Sequence, residues 1–73
     1  MKLKVRLLKW SAGIPVAMIN IKTADIIGIH ENDRISIKKF SKEDGKFSTI
    51  VNVVEKIVKE NEMGISSEIK DFF

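Results

Sequence analysis

The chain opens with six residues that alternate between cationic and apolar side chains. Because successive side chains of a strand point to opposite faces, residues 2–7 are predicted to form a half-buried strand. Its inner face carries Leu3, Val5 and Leu7. A turn at residues 11–13 leads to Pro15, which fits the first position of a second strand at residues 16–19. The two strands are predicted to form a hairpin or to be joined by a wider connection.

A short helix is predicted next. Asn20 is a good N-cap, apolar residues recur behind it at helical spacing, and Gly28 fits the left-handed residue that ends a helix. A polar turn at residues 30–33 then separates this helix from a second alternating segment, residues 34–38. We expect that segment to be a third strand, whose inner face carries Ile35 and Ile37.

The second half of the chain begins with a hairpin signal and a long β-branched segment. Asp44 and Gly45 form a favoured two-residue hairpin turn, and residues 47–54 are predicted to be the longest strand. The apolar residues between positions 55 and 61 fit both helical and strand spacing, and their β-branching favours a strand at residues 56–58. Residues 62–65 are predicted to be a turn.

Ser66 or Ser67 is expected to cap a second short helix, whose apolar side carries Ile69, Phe72 and Phe73. Together these elements predict a mainly β domain with two short helices (α+β). The second half repeats the strand and helix order of the first half without its last strand. A last strand that is missing or swapped would leave a sheet edge open to another chain. Because the sequence stops on two aromatic residues, we expect the natural chain to continue.

Length and composition indicate a single soluble domain with a small core. A chain of 73 residues buries about 60% of the surface of its unfolded form, so its stability is expected to be marginal. With no cysteine, no apolar segment of membrane-spanning length and no signal peptide, we expect a cytoplasmic location without membrane contact. The net charge of +3 is uneven, because residues 1–42 are basic and residues 43–73 are acidic. Solvated strand faces explain this division best, although it also permits an acidic partner or head-to-tail docking.

No known catalytic motif occurs in the sequence, and we expect no metal or cofactor site. His30 is the single imidazole, and Glu31 and Asp33 beside it form a poor ligand set, so a turn-forming role is favoured. Asp33 is expected to accept hydrogen bonds from nearby backbone N–H groups rather than act as a general base. Trp10 is equally suited to plugging one end of the sheet and to anchoring a partner. The candidate interface residues are Trp10, Phe72 and Phe73.

Parts of the sequence resemble known families. Residues 18–37, which read MINIKTADIIGIHENDRISI, resemble the strand, short helix, polar turn and Asp-Arg strand unit of double-psi β-barrels. This unit also occurs in the amino-terminal domains of valosin-containing AAA ATPases and, in a swapped-hairpin form, in AbrB-type regulators. With the opening KLKVRLL and the later EMGIS added, nearly the whole chain resembles the amino-terminal domain of archaeal AMP phosphorylases.

The resemblance implies that residues 1–73 are one double-psi β-barrel-like accessory and oligomerisation domain of a larger enzyme. That parent enzyme would be related to thymidine phosphorylase and would convert AMP and phosphate to adenine and ribose 1,5-bisphosphate. Its catalytic residues and phosphate loop lie in later domains, so phosphate is a co-substrate of the parent and this domain holds no cofactor. The implied partners are the downstream catalytic domains and further copies of the chain. The sequence departs from the family at Trp10 and at Asn32, where a glycine is common, although asparagine tolerates the left-handed conformation.

Two other functions compete with this one. A small DNA-binding regulator of the AbrB type is the alternative, because the first strand has a basic face. Apart from Trp10, no aromatic residue is interleaved with these cations to stack on bases, so nucleic acid is the less favoured partner. A protein-binding adaptor like the AAA ATPase amino-terminal domains rests on fold analogy alone.

Overall fold

The computed structural model describes residues 2–38 and 46–72, with the backbone alone for residues 70–72. In chain order the elements are β1 (Lys4–Leu7), β2 (Val16–Asn20), α1 (Ile21–Ile27), β3 (Arg34–Lys38), β4 (Lys46–Val54), β5 (Glu62–Ile65) and a 3-10 helix (Ser67–Phe72). The strands form one curled sheet in the order β1-β5-β2-β4-β3. The mainly β character of the domain is confirmed, whereas only the first of the two helical segments is an α-helix.

Most neighbouring strands of the sheet are distant in the sequence. β1 runs parallel to β5, β2 runs parallel to β4, and β2 and β5 pair antiparallel at the centre. β3 and β4 form an antiparallel pair, as the sequence predicts, and the register places Lys38 opposite Lys46. A hairpin between the first two strands is not formed, because β5 lies between them; the wider connection is correct. Asp44 and Gly45, the predicted turn, lie outside the described residues.

α1 begins and ends where the sequence predicts. The side-chain oxygen of Asn20 accepts a hydrogen bond from the N–H of Lys22 at 2.9 Å, which caps the first turn. Gly28 has a φ of 75° and ends the helix in the left-handed conformation, and its N–H donates to the carbonyl of Ala24. The two caps therefore set the bounds of this helix, which has seven residues.

Residues 55–58 form bends, so the prediction of a strand at 56–58 is wrong. The side-chain amide of Asn20 donates to the carbonyls of Glu55 and Val58, at 3.3 and 2.8 Å. The hydroxyl of Thr23 donates to the carbonyl of Glu60 at 2.6 Å. These three bonds turn the carbonyls of residues 55, 58 and 60 toward α1. The carbonyls are then not available to bond to a neighbouring strand. Tertiary contacts therefore override the strand propensity of the β-branched residues in this loop.

The predicted turn at residues 62–65 is also wrong, because this segment is β5, whose Met63, Gly64 and Ile65 are buried. A Cβ atom at Gly64 would lie 2.8 Å from Cδ1 of Leu8 and 3.0 Å from Cγ2 of Val58. Gly64 is therefore required by the close approach of two side chains, which is a recognised use of glycine inside a strand. Its presence in the sequence was interpreted as a sign of a turn.

The core lies on one face of the sheet, beneath α1 and the 3-10 helix. Its most deeply buried apolar residues are Ala17, Ile19, Ala24, Val51, Ile65 and Ile69. The predicted inward orientation of β3 is confirmed, since Ile37 is buried and Ile35 packs against the core. Ile69 is buried as expected for the last helical segment, whereas the side chain of Phe72 and the whole of Phe73 lie outside the described residues. None of the described helices is long and apolar enough to cross a bilayer.

Candidate functional site

β1 is an edge strand that exposes the apolar side chains of its inner face. Val5 and Leu7 lie opposite Met63 and Ile65 of β5, so they point to the same face of the sheet as these two core residues. Met63 and Ile65 are buried, yet Val5 is 42% exposed and Leu7 is 56% exposed. The predicted alternation of β1 is confirmed, but its predicted half-burial is wrong except at Leu3, which packs partly against the core. β5 is the single described strand that pairs with β1.

The pairing of β1 with β5 is repeated, in register, by the pairing of β4 with β2. In β1 and β5, Lys4 lies opposite Glu62, and in β4 and β2, Ile50 lies opposite Val16. Ile50 comes 46 positions after Lys4, and Val16 comes 46 positions before Glu62. The same offset relates the other three residue pairs of β1 and β5 to pairs of β4 and β2. β2 and β5 pair with each other at the centre. The sheet thus has an internal twofold arrangement in which β4 is the counterpart of β1.

The outer edge of β4 is covered by the segment that connects α1 with β3. The N–H of Val51 donates to the carbonyl of Asp33, and the carbonyl of Val51 accepts from the N–H of Asn32, both at 2.9 Å. The carboxylate of Glu31 accepts a hydrogen bond from the N–H of Val53 at 2.6 Å. These contacts satisfy the outward-facing N–H and C=O groups of Val51 and the N–H of Val53, and the side chain of Val51 is fully buried.

The described residues leave the corresponding edge of β1 open. Lys4 and Leu8 donate their N–H groups to carbonyls at the two ends of β5, so the even-numbered residues of this segment bond inward to the sheet. In a parallel pair of strands, the N–H and C=O groups of the alternate, odd-numbered residues point away from the partner strand. Val5 and Leu7, the counterparts of Val51 and Val53, therefore direct N–H and C=O groups outward, where no described residue bonds to them. We call the outward backbone groups of β1 together with the side chains of Leu3, Val5 and Leu7 the β1 edge.

The turn that covers β4 has the conformation that the sequence predicts. Asp33 accepts a hydrogen bond from the N–H of His30 at 2.8 Å, and its own N–H donates to the carbonyl of His30 at 3.1 Å. Asn32 adopts a φ of 68°, the left-handed conformation that asparagine tolerates better than most residues. The imidazole of His30 is largely exposed, and its Nδ1 lies 3.7 Å from the carboxylate of Asp33. In the structure, His30 and Asp33 shape the turn that presents Glu31 and Asn32 to β4.

The cations of β1 lie on the face opposite to the core. The guanidinium of Arg6 donates to the carbonyl of Ile57 at 2.9 Å and lies 3.9 Å from the carboxylate of Glu62. The side chain of Arg6 is half exposed, so this ion pair contributes little to stability. Lys4 is exposed on the same face. The basic face predicted from the sequence therefore exists, with Arg6 held by its own chain.

Trp10, the one predicted interface residue whose side chain the structure describes, lies at the start of the 3-10 helix. Its carbonyl accepts hydrogen bonds from the N–H of Ser67 at 2.8 Å and from the hydroxyl of Ser67 at 3.0 Å. Its side chain is half-buried. Trp10 thus joins the start of the loop between β1 and β2 to the 3-10 helix, which also contains the backbone of Phe72.

Glu68 fixes the same loop from the opposite side, which the sequence did not predict. Its carboxylate accepts hydrogen bonds from the hydroxyl of Ser11 at 2.6 Å and from the N–H groups of Ala12 and Gly13 at 3.3 and 3.0 Å. The bond from Ser11, followed by one from its own backbone N–H, lowers the pKa of Glu68 to about 2. The Ser-Ala-Gly sequence indicated a turn, but no local signal identified a carboxylate 55 residues away as its partner.

An open cleft of about 710 Å³ lies between the start of α1 and residues 55–61. The polar atoms of Asn20 in its wall already bond to the backbone, so they hold the loop in place. No group of three or more His, Cys, Asp or Glu side chains in the described part of the chain is placed to hold a metal ion. No protein-family model and no curated protein sequence matches the chain. The β1 edge is therefore the surface that offers the most specific geometry for binding.

Proposed function

We propose that this chain is the amino-terminal accessory and assembly domain of an archaeal AMP phosphorylase and that the β1 edge is its docking surface. The observation that carries the assembly role is the exposure of Val5 and Leu7 on the core face of an edge strand. Edge strands with open backbone groups and apolar side chains pair readily with other chains unless something covers them. The resemblance of nearly the whole sequence to these amino-terminal domains supports the choice of parent enzyme.

The finer fold that we propose is a double-psi β-barrel whose last strand is missing from the described residues or is swapped. Two parallel strand pairs in one register, related by an offset of 46 residues, support this proposal. In the first half, β3 follows α1 and pairs antiparallel with β4. The second half has the counterparts of β1, β2 and α1, namely β4, β5 and the 3-10 helix. A counterpart of β3 would pair with β1 and complete the arrangement.

Covering the β1 edge would stabilise a domain of this size appreciably. Full burial of a Val or Leu side chain contributes roughly 1.5–3 kcal/mol, and about half of that remains to be gained at Val5 and Leu7. The two side chains together thus offer about 1.5–3 kcal/mol of apolar stabilisation. Small domains are stable by only about 0.05–0.15 kcal/mol per residue, so this gain is a substantial part of the total. Docking would therefore stabilise the domain as well as hold it in the assembly.

In this proposal the chemistry belongs to the parent enzyme. Phosphate would attack the ribose carbon of AMP that bears the base, and adenine would leave to give ribose 1,5-bisphosphate. The accessory domain would contribute through the arrangement of the catalytic domains and of the copies in the multimer. The downstream domains and further copies of the chain are its proposed partners, and the proposed location is the cytoplasm.

The test starts from the reading frame that encodes the chain. We expect the frame to continue past Phe73 into catalytic domains and the full protein to release adenine from AMP only when phosphate is present. In that protein Leu7→Glu should shift the sedimentation coefficient to a smaller assembly. Ile26→Glu, which places the same charge on an apolar residue that is 72% exposed on α1, is the matched control and should leave the assembly unchanged. A frame that stops after Phe73 or an equal effect of both variants would contradict the proposal.

DNA binding is the second candidate function, favoured by the exposed cations Lys4 and Arg6 on the outer face of β1. Phosphate contacts made by such cations give an affinity that falls steeply with salt. The bonds of Arg6 to Ile57 and Glu62 count against it, because they occupy the guanidinium that would contact phosphate. A gel shift of duplex DNA at low salt that disappears in the Lys4→Glu variant would support this function, and no shift would exclude it.

A further inference from the structure

We infer that the β1 edge binds an antiparallel peptide strand in which apolar residues alternate with acidic ones. The inference deepens the assembly role proposed above and rests on it for the use of this surface. It names the conformation, direction and chemistry of the partner. Each of these follows from the way in which the same chain covers the counterpart edge of β4.

The direction and register of the partner strand follow from the offset of 46 residues. β3 pairs antiparallel with β4, with Arg34 opposite Ile50 and Ile35 opposite Thr49. The residues of the first segment that correspond to Ile50 and Thr49 are Lys4 and Leu3. A strand bound to the β1 edge in the manner of β3 therefore runs antiparallel to β1 and lies opposite residues 2–4.

The backbone groups farther along β1 set the next part of the partner. At the β4 edge, residues 32 and 33 bond to Val51, and the carboxylate of Glu31 accepts from the N–H of Val53. The corresponding groups on β1 belong to Val5 and Leu7. A partner that reproduces these bonds carries a turn before its strand and an acidic residue within that turn. Exposed N–H and C=O groups in this geometry are the usual basis of strand addition.

The side chains of the partner follow from the two faces of β1. The position opposite Leu3 faces the core, where Ile35 lies in the counterpart strand, so an apolar side chain fits there. The positions opposite Lys4 and Lys2 face away from the core. Opposite charges on directly paired residues stabilise a sheet and like charges destabilise it. Acidic residues at these two positions therefore match the cationic face of β1.

A second copy of β1 is a poorer occupant for the same reason. An antiparallel pair of two β1 strands centred on Val5 would place Lys4 opposite Arg6 of the second copy, twice. The pairing would bury Val5 and Leu7 at the cost of two like-charge contacts. The charge pattern thus selects a strand of different sequence over self-pairing.

The chain itself provides the probe for this inference. A synthetic peptide of residues 29–38 carrying Arg34→Glu and Ser36→Glu reproduces the turn, Glu31 and Ile35, and places carboxylates opposite Lys4 and Lys2. Titrated into the ¹⁵N-labelled 73-residue protein, it should shift the amide signals of Val5 and Leu7 and slow their hydrogen exchange. The unmodified peptide, which places Arg34 opposite Lys4, is the matched control and should bind about tenfold more weakly.

The protein variant Val5→Pro removes one outward N–H while leaving the bonds of the even-numbered residues to β5 in place. We expect it to bind the acidic peptide at least tenfold more weakly and to keep the amide spectrum of the folded sheet. If this variant does not fold, an acidic peptide N-methylated at the residue equivalent to Asn32, whose N–H donates to Val51 in β4, gives the same test.

The inference is overturned if the acidic peptide leaves the Val5 and Leu7 amides unchanged, or if both peptides bind equally. It is also overturned if these amides shift with protein concentration alone, which would identify a second copy as the occupant, or if DNA moves them where the peptide does not. Specific peptide binding combined with an unchanged assembly in Leu7→Glu of the full protein would support the strand site and contradict the assembly role. A smaller assembly of the Leu7→Glu protein without peptide binding would support the assembly role and contradict the strand site.

Discussion

Replacing Gly64 with alanine is expected to destabilise the fold by overpacking the centre of the sheet. The added Cβ would lie 2.8 Å from Cδ1 of Leu8, which is closer than real Cβ contacts come, and 3.0 Å from Cγ2 of Val58, which would have to move by a few tenths of an ångström. Extra methyl groups in packed cores cost about 1–3 kcal/mol. Leu8 is only partly buried and its Cδ1 ends a flexible side chain, so the lower half of that range applies.

The backbone partly offsets this cost, because replacing glycine by alanine restricts the unfolded chain and stabilises by about 0.4–1 kcal/mol. The net destabilisation is then about 1 kcal/mol. Urea titration followed by circular dichroism measures it. A chain this small has an m-value of about 1 kcal/mol/M, so the midpoint should fall by about 1 M.

Two further variants separate overpacking from backbone strain. Gly28→Ala meets no atom within 4 Å but must hold a φ of 75°, so it should destabilise regardless of the residue at position 8. Leu8→Ala removes the closest contact, so Gly64→Ala should cost less in that background. The reasoning is refuted if Gly64→Ala leaves the midpoint unchanged or raises it, or if Leu8→Ala gives no rescue.

Three other substitutions test the remaining contacts by denaturation. Asn20→Ala should cost about 2–4 kcal/mol, because it removes the helix cap and leaves the carbonyls of Glu55 and Val58 without their donor, whereas Asn20→Ser should cost less since its hydroxyl can still cap the helix. Thr23→Val should cost about 1–2 kcal/mol through the lost bond to Glu60, and Thr23→Ser should retain most of the stability; equal losses would contradict this. Because the pKa of Glu68 falls from 4.5 to about 2 on folding, its carboxylate stabilises the protein above pH 4.5, and this contribution is lost as the pH falls toward 2. The melting temperature of Glu68→Gln should therefore depend less on pH between 2 and 5, and parallel curves would show that Glu68 contributes nothing.

The sequence predicted the elements whose signals are local. Asn20 and Gly28 identify α1 through its caps, and the strict alternation of residues 34–38 identifies β3. The direction of the β1 side chains also follows from alternation. Such features depend on neighbours within a few positions, so they can be predicted without knowledge of the tertiary structure.

The sequence did not predict the features that depend on distant partners. The sequence predicts a turn at 62–65 because the close approach of Leu8 and Val58 to Gly64 is visible only in three dimensions. It predicts a strand at 56–58 because the anchoring of this loop by Asn20 spans more than 30 residues and leaves no local signal. At the candidate site, the apolar pattern of β1 was visible, but its exposure depends on which strands lie beside it and could not be inferred.

The position of β5 has a consequence for synthesis. β5 separates β1 from β2 in the sheet, yet it is the last of the described strands to leave the ribosome. Until then β1 and β2 have no partner between them, and the pairs that join Lys4 to Glu62 span almost the whole sequence. Pairings between such distant segments form slowly, since the loop entropy is lost before the contacts are gained. Before β5 is synthesised, β1 therefore lacks its described partner strand, and β2 can pair with β4 alone. The hairpin of β3 and β4 is the part of the sheet that can assemble early.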